Sequence, residues 1–293
     1  MPKFRIVRPA LMAFCGVGIL ALCVARTPPQ GQAPGGSGRG AAPAPGGRKR
    51  ILVIGQTKGY QHDSVPVAMA CIWKWGHDSG LWDAYLRTDT ELITKKNLGA
   101  NAKTLPNFDA IVFDNSSGEL DLTDEQKADL LAFVHDDGKG YVGIHASNDS
   151  NYKWNEYALL TGGWFDQHPW DTFDAPIVVE DPDFPAVRHF PKAFHKRDEI
   201  YQMKNWARDN VNVLLRLDET KLKYEGNDRI HRQDRDFAVA WSKMYGNGRV
   251  FYSTLGHTNE SWDDPDIQKM YFEAIRWTLG MTGGSTKPHP RPR

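Results

Sequence analysis

The sequence predicts a doubly wound α/β fold with a mostly parallel central sheet and a loop-rich insertion. Short apolar runs rich in β-branched residues recur along the chain, as expected of strands that are covered on both faces. Segments with helical apolar spacing and helix start signals follow several of these runs. Because strands that alternate with helices pair in parallel, these observations favour a sheet with helices on both faces.

The first predicted strand is RILVIG, which begins at Arg50 and is followed by the loop QTKGYQHD. Ser64 is expected to cap a helix that extends to about Gly80, with Pro66 tolerated in the first turn. The segment DAYLRT is a candidate second strand, and FDAIVFDN is a further buried run. The N-terminal half therefore begins with a strand, a helix and two more strands.

The next helix is predicted in LTDEQKADLLAFVHDDG. Thr123 and Gln126 have the spacing of a capping box, apolar residues follow at helical spacing, and Gly138 is expected to end the helix. The strand GYVGIHA comes directly after it. This segment continues the alternation of strands and helices.

The C-terminal half contains two further strand candidates, APIVVED and VNVLLRL, and a hairpin in FAVAWSKMYGNGRVFYSTL with its turn at GNG. The last helix is predicted to have Asp264 as its cap, Pro265 as its first residue and Gly280 after its end. Residues 181–236 alternate poorly between polar and apolar positions. We therefore interpret them as a loop-rich insertion.

The two ends of the chain have compositions that differ from the rest. Basic residues precede an apolar run of about 16 residues, which is typical of a signal peptide or an N-terminal anchor. The predicted organisation is a leader at 1–25, a Pro/Gly-rich linker at 26–49, a folded domain at 50–281 and a disordered tail at 282–293. We expect an exported protein, periplasmic or extracellular, with membrane association if the leader is retained.

Charge and cysteine content exclude some classes of function. Lys and Arg together number 36, as do Asp and Glu, so the chain lacks the basic excess of a nucleic-acid-binding protein, and no nucleic-acid partner is expected. Of three cysteines, only Cys71 lies outside the leader, in the apolar segment AMACIWKW. A buried, hydrophobic role is predicted for it.

Histidines follow three of the predicted strands. His62 comes after the first strand, His145 ends GYVGIHA, and His257 follows the hairpin; Asn115 and Ser116 follow another strand. In open parallel sheets, ligands bind beyond the carboxyl ends of the strands. We therefore expect these side chains to meet at one edge of the sheet.

Two chemistries suit such a group of histidines. Neutral imidazoles with a carboxylate form a divalent-metal site, for which zinc is a suitable ion, and His62, His145 and His257 are the candidate ligands. Alternatively, a histidine acts as a general acid or base without metal, so no cofactor is certain. The chain has neither HExxH nor a CxxC pair, and the strand-to-loop corner where α/β hydrolases place a nucleophile carries His145.

Several motifs together resemble the ThuA-like family, which is named for trehalose utilisation. They are GYQHDSVP, GKGYVGIHASND, LLTGGWFDQHP, DPDFPAVRHFP, DEIYQ, VAWSKMYGNGRVFYSTLGH and IRWTLG, and they cover about residues 50–281. The resemblance implies a flavodoxin-like fold of the class I glutamine amidotransferase-like superfamily, without the amidotransferase Cys-His machinery. It also implies sugar catabolism, particularly of 3-keto-glycosides made by partner oxidoreductases.

The resulting hypothesis is an exported hydrolase or lyase that acts on a carbohydrate, such as a 3-keto-glycoside. His145, Glu199 and His62 are the predicted catalytic residues. The predicted substrate-binding residues are Asn115, Ser116, Asn148, Trp164 and His168. The alternatives are a non-catalytic carbohydrate-binding module at the cell surface and, with less support, a structural domain of a larger assembly.

Overall fold

The computed structural model describes residues 47–292, which form eleven strands and five α-helices. The strands are β1 (Lys49–Ile54), β2 (Trp82–Arg87), β3 (Ala110–Asp114), β4 (Gly140–Ile144), β5 (Trp164–Gln167), β6 (Thr172–Val179), β7 (Ala193–Glu199), β8 (Gln202–Lys204), β9 (Asn212–Leu217), β10 (Ala238–Tyr245) and β11 (Gly248–Ser253). The helices are α1 (Val65–Ser79), α2 (Asp124–His135), α3 (Asn155–Thr161), α4 (Asn259–Asp263) and α5 (Pro265–Thr278).

Nine of these strands form one sheet in the order β2-β1-β3-β4-β11-β10-β9-β6-β7. The first five strands of this order pair in parallel, and the other four extend the sheet with antiparallel pairs. The parallel part confirms the predicted doubly wound architecture. Strands β5 and β8 form a separate antiparallel pair.

The parallel strands are buried on both faces, as their continuous apolar sequences predict. In β1, Ile51 and Val53 pack into one hydrophobic cluster together with residues of α1 and α5. Leu52 and Ile54 pack into another cluster, with residues of α2 and α3. Because successive side chains of a strand point to opposite faces, these two clusters are the two sides of the sheet.

The predicted start signals of two helices are present. The Thr123 hydroxyl accepts the N–H of Gln126 at 3.2 Å, and the Gln126 side chain accepts the N–H of Thr123 at 3.0 Å. Asp264 caps α5, which begins at Pro265. Helix α2 ends at His135, three residues before Gly138.

Ser64 precedes α1 as predicted, but its hydroxyl does not cap the helix. It donates instead towards the carbonyls of Gly256 and His257, at 3.1 and 2.9 Å. The side chain therefore ties the start of α1 to the loop after β11. This tertiary partner is not visible in the local sequence.

Residues 181–236 are rich in loops, as predicted, but the segment is not only an insertion. It contains β7, β8 and β9, and both β7 and β9 belong to the main sheet. Strand β7 is an edge strand that pairs only with β6, and most of its side chains are at least partly exposed. An edge strand with polar side chains gives no clear apolar pattern.

The C-terminal tail makes contacts where disorder was expected. The carbonyl of Ser285 accepts hydrogen bonds from Asn212 and Ser242, at 3.0 and 2.9 Å, and His289 contacts the carbonyl of Val213 at 3.0 Å. The predicted leader and almost all of the predicted linker lie outside the described residues. Within residues 47–292, no helix is both long enough and apolar enough to cross a membrane.

Candidate active site at the carboxyl edge of the sheet

His145 occupies a backbone conformation that non-glycine residues adopt infrequently. It follows β4 directly, with φ +42°, and starts a short 3-10 turn. Two contacts hold it there: the hydroxyl of Tyr252 donates to the His145 carbonyl at 2.7 Å, and the Nδ1 atom lies 2.5 Å from the Thr254 carbonyl. Because a carbonyl only accepts, Nδ1 carries a proton, and Nε2 is the ring nitrogen left for the site.

Four side chains meet at this corner: His62, His145, Glu199 and His257, called here the His–Glu cluster. One potential ligand atom from each lies within 4.8 Å of the others. The Nε2 atom of His145 lies 3.1 Å from Nδ1 of His257, and each of these atoms is 3.5 Å from a carboxylate oxygen of Glu199. The structure thus brings together the three histidines that follow separate strands.

Glu199 reaches the cluster from a strand outside the parallel part of the sheet. Four antiparallel pairings separate β11 from β7, so the two strands run in the same direction. Glu199 is the last residue of β7 and therefore lies at the same edge as the ends of the parallel strands. The register of the antiparallel extension, which the sequence did not predict, decides this placement.

Asp198 joins the two segments that carry Glu199 and His257. Its carboxylate is 1% exposed and accepts the N–H groups of Gly256 at 2.8 Å and His257 at 3.1 Å. It also accepts the hydroxyl of Ser261 at 2.9 Å. These contacts fix the loop after β11 against the end of β7.

Burial keeps two of the imidazoles neutral. It is the main cause that lowers the pKa of His62 to about 2, and the nearby His145 and His257 lower it further. Burial, followed by His145, also lowers the pKa of His257, although Glu199 and Asp198 act in the opposite direction. Both side chains therefore offer lone pairs at neutral pH.

Glu199 supplies a negative charge to the same site. Burial by itself would raise the pKa of this carboxyl, but hydrogen bonding to His145 and electrostatic interactions with neighbouring histidines lower it overall. The Nδ1 atom of His62 is buried and has no hydrogen-bond partner. Three imidazoles and one carboxylate form a donor set that suits zinc, and an unpartnered buried nitrogen fits a metal ligand.

A cavity of about 320 Å³ opens beside the His–Glu cluster. Its lining residues are Tyr60, His62, Asp149, Phe165, His168, Glu199, Tyr201 and His257. A larger cavity of about 560 Å³, lined in part by Asp198, contains no member of the cluster, and another of about 460 Å³ is lined by His62 alone among its members. The 320 Å³ cavity, which is lined by three members, therefore gives a ligand access to most of the candidate reactive groups.

Four of the five predicted substrate-binding residues do not line this cavity. Ser116 donates to the Ile54 carbonyl, Asn148 donates to the Gly163 carbonyl, and Asn115 donates to the side chain of its neighbour. All three side chains are fully buried. Their polar groups are used to satisfy the buried backbone and other buried side chains.

Trp164 is 5% exposed and packs in the core against Tyr152. This burial contradicts the prediction that Trp164 binds substrate, whereas His168, predicted for the same role, does line the cavity. The next residue, Phe165, takes the expected place. Since successive side chains of a strand alternate, a shift of one position exchanges a core residue for a cavity residue.

The sequence analysis did not assign Tyr60, Asp149, Phe165 or Tyr201 to the site. Tyr60 precedes His62 by two positions, and Tyr201 follows Glu199 by two positions. This spacing next to candidate ligands was an available signal. It did not show which way each ring points.

The chain is similar to known proteins over almost the whole described region. The family model described as "ThuA: Trehalose utilisation" matches residues 50–278. A ThuA-like protein from Bacteroides uniformis is 20% identical with a TM-score of 0.65, and the match covers 81% of this chain and 94% of that chain. A ThuA-like protein from Parabacteroides merdae is 19% identical with a TM-score of 0.60, covering 82% and 93%.

A curated relative gives a much shorter match. C-Jun-amino-terminal kinase-interacting protein 3 of Rattus norvegicus is 26% identical over 149 residues, which are 43% of this chain. The match spans 11% of the length of that protein.

Proposed function

Because the chain belongs to the ThuA trehalose-utilisation family, we propose that it is a carbohydrate-processing enzyme that works at the His–Glu cluster. The observation that carries this proposal is the convergence of four potential ligand atoms within 4.8 Å of one another. Burying polar side chains from four separate chain segments is unfavourable unless they gain partners. Perturbed titratable groups gathered beside a cavity are typical of functional sites.

We assign a divalent metal ion, such as zinc, to the cluster. His62 is neutral and has an unpartnered nitrogen, the Thr254 carbonyl sets the tautomer of His145, and Glu199 is ionised. A hydrogen bond from the second ring nitrogen to a carbonyl is the usual support of a metal-binding histidine. When bound, the metal would supply Lewis acidity towards a sugar oxygen or a water molecule.

The substrate class that we propose is a 3-keto-glycoside, supplied by a sugar oxidoreductase. A ketone at C3 acidifies the neighbouring C2–H bond. Removing that proton forms a C1–C2 double bond as the C1–O bond to the leaving group breaks, and the leaving oxygen takes up a proton. Addition of water to the double bond would turn this elimination into a net hydrolysis.

Proton transfer then falls to groups that line the cavity beside the metal ligands. His168 is about one-third exposed, and its Nδ1 atom lies 3.1 Å from Asp171. Asp149 also lines the cavity, and burial raises the pKa of its carboxyl, although the Tyr152 hydroxyl opposes this effect. In the metal-free alternative, His145 Nε2 and Glu199 would be the acid and base themselves.

The experiment measures metal content and turnover on the same preparation. We expect about one divalent ion per chain, loss of keto-glycoside turnover after chelation, and recovery when zinc is added. His145→Asn should lower kcat by about 10²- to 10⁴-fold. Asparagine tolerates the positive φ at this position, so the variant avoids backbone strain.

His195→Asn is the matched control, because His195 is exposed on β7 and pairs with Asp174 outside the cluster. Its turnover should equal that of the wild type. Full turnover by metal-free wild-type protein would show that the reaction does not need a metal ion. Undiminished turnover of folded His145→Asn would reject the site, and binding of oligosaccharide without consumption would favour a binding module.

We also propose export, on the basis of the predicted leader at residues 1–25, which lies outside the described residues. Cell fractionation and N-terminal sequencing of the mature protein test this. A chain that begins at Met1 in the cytoplasm would contradict it.

A further inference from the structure

We propose that the cavity beside the His–Glu cluster holds an uncharged sugar ring against the aromatic rings of Tyr60 and Phe165. The inference rests on the proposed function and names two residues that would bind the substrate.

Tyr60 presents an exposed ring on an anchored backbone. The side chain is 66% exposed, although the residue lies in the loop beside the cluster. The Ser117 hydroxyl donates to the Tyr60 carbonyl at 2.6 Å, and the Ser117 carbonyl accepts N–H groups from Lys58 and Gly59. Both the hydroxyl and the carbonyl group of Ser117 therefore anchor the backbone of this loop.

Two glycines allow this anchoring. A Cβ atom at Gly118 would lie 2.5 Å from the backbone nitrogen of Gly59, so the two loops approach too closely for side chains. A fixed backbone has no benefit for an exposed aromatic ring that binds nothing. It does favour ligand binding, because a ring that is already positioned loses less conformational entropy when the ligand binds.

The two rings contact different histidines of the site. The Tyr60 ring meets His62 edge-on at 4.8 Å and lies nearly parallel to His257 at 6.3 Å. The Phe165 ring lies nearly parallel to His168 at 5.8 Å. A pyranose has apolar C–H faces and a rim of hydroxyl groups, so aromatic faces and polar groups around one cavity suit it.

The cavity also offers acceptors for sugar hydroxyl groups. Among its eight lining residues, Asp149 and Glu199 contribute carboxyl groups. Sugar hydroxyls can donate to such groups in strong hydrogen bonds.

The test is calorimetry on the metal-loaded protein with trehalose, which lacks the 3-keto group. We expect Tyr60→Ala to weaken trehalose binding by about tenfold and Tyr60→Phe to change it by less than about threefold. Trp73→Ala is the control, because Trp73 is 49% exposed on α1 away from the cavity lining, and it should bind as wild type does.

Either of two outcomes would overturn the inference: no binding of trehalose to wild type, or binding by Tyr60→Ala equal to that of wild type. Binding of trehalose through Tyr60 without turnover of any keto-glycoside would refute the proposed function and leave this inference standing. If Tyr60→Ala had the same KM for a keto-glycoside as the wild type, only this inference would be refuted.

Discussion

Two buried polar clusters of this protein are built in opposite ways. The first, called here the arginine cluster, consists of Glu180, Arg208, Arg216 and Asp236. The Glu180 side chain is fully buried, and Arg208 donates to it at 2.6 and 3.2 Å and to Asp236 at 2.7 Å through each of two nitrogens. Arg216 forms a further ion pair with Glu180 at 2.8 Å.

The His–Glu cluster is less fully paired. It contains two imidazoles with lowered pKa values and a buried nitrogen without a hydrogen-bond partner, although His145 and His257 contact each other at 3.1 Å. Both carboxylates of the arginine cluster are paired with guanidinium groups, whereas the His–Glu cluster gathers potential metal-ligand atoms within 4.8 Å of one another beside a cavity. The comparison shows that burial alone does not identify a functional site; unmet binding capacity next to a cavity does.

Breaking the arginine cluster should have the largest effect on stability. Arg208→Met would remove the strongest partner of the Glu180 carboxylate and leave its charge partly unpaired in the core. We expect the free energy of unfolding in urea to fall by about 3–5 kcal/mol. Turnover per folded molecule should stay unchanged.

Arg87→Met serves as the comparison, because Arg87 makes only surface ion pairs with Asp89 and Glu91. This substitution should lower the free energy of unfolding by less than about 1 kcal/mol. Equal unfolding midpoints for the Arg208 and Arg87 variants would show that the buried network is not a stabilising unit.

The corresponding change in the His–Glu cluster should affect chemistry rather than stability. Glu199→Gln keeps the shape of the side chain but removes its negative charge. We expect a loss of about 10²- to 10³-fold in turnover, with the unfolding free energy of metal-free protein changed by about 1 kcal/mol or less. Steady-state kinetics and urea unfolding measure the two effects.

Glu225→Gln, at an exposed position, should change neither quantity. A Glu199 variant that is destabilised as strongly as Arg208→Met would mean that the two clusters do not differ in the way described.

Asp198→Asn should produce a smaller, mixed effect, since this residue positions others. An amide nitrogen would face at least one of the N–H groups that the carboxylate now accepts. We expect metal affinity to fall by about 10- to 100-fold and stability by about 2 kcal/mol. Turnover at saturating metal should largely recover, and failure to recover would indicate direct participation of Asp198 in the reaction.

The last prediction concerns how the stability of the metal-free protein depends on pH. An unfolded histidine has a pKa of about 6.5, whereas burial lowers that of His62 to about 2. Below about pH 6.5 the unfolded state therefore binds a proton that the folded state does not, so stability falls as the pH falls. The expected slope is about 1.4 kcal/mol per pH unit for His62 well below pH 6.5.

Urea unfolding at pH 7 and pH 5 measures this slope, and His62→Gln should make it shallower. A slope that is unchanged in this variant would show that His62 is not the group that titrates.

The rule that ligands lie beyond the carboxyl ends of parallel strands was enough to bring His62, His145 and His257 to one edge. The rule did not predict the orientation of Asn115, Ser116 and Asn148, which follow β3 and β4 at the same edge. Their side chains turn inward to buried partners. Chain order predicts the edge at which a residue lies, but not the direction in which its side chain points.

The sequence by itself determined the alternation of elements, the helix starts at Thr123 and Asp264, and the approximate edge of the site, because these depend on local periodicity and strand ends. Tertiary structure alone decided that Glu199 joins the histidines and that Phe165, not Trp164, faces the cavity. It also decided the tautomer of His145, through a carbonyl 109 residues away. These features depend on strand register and on partners distant in the chain, which local sequence does not encode.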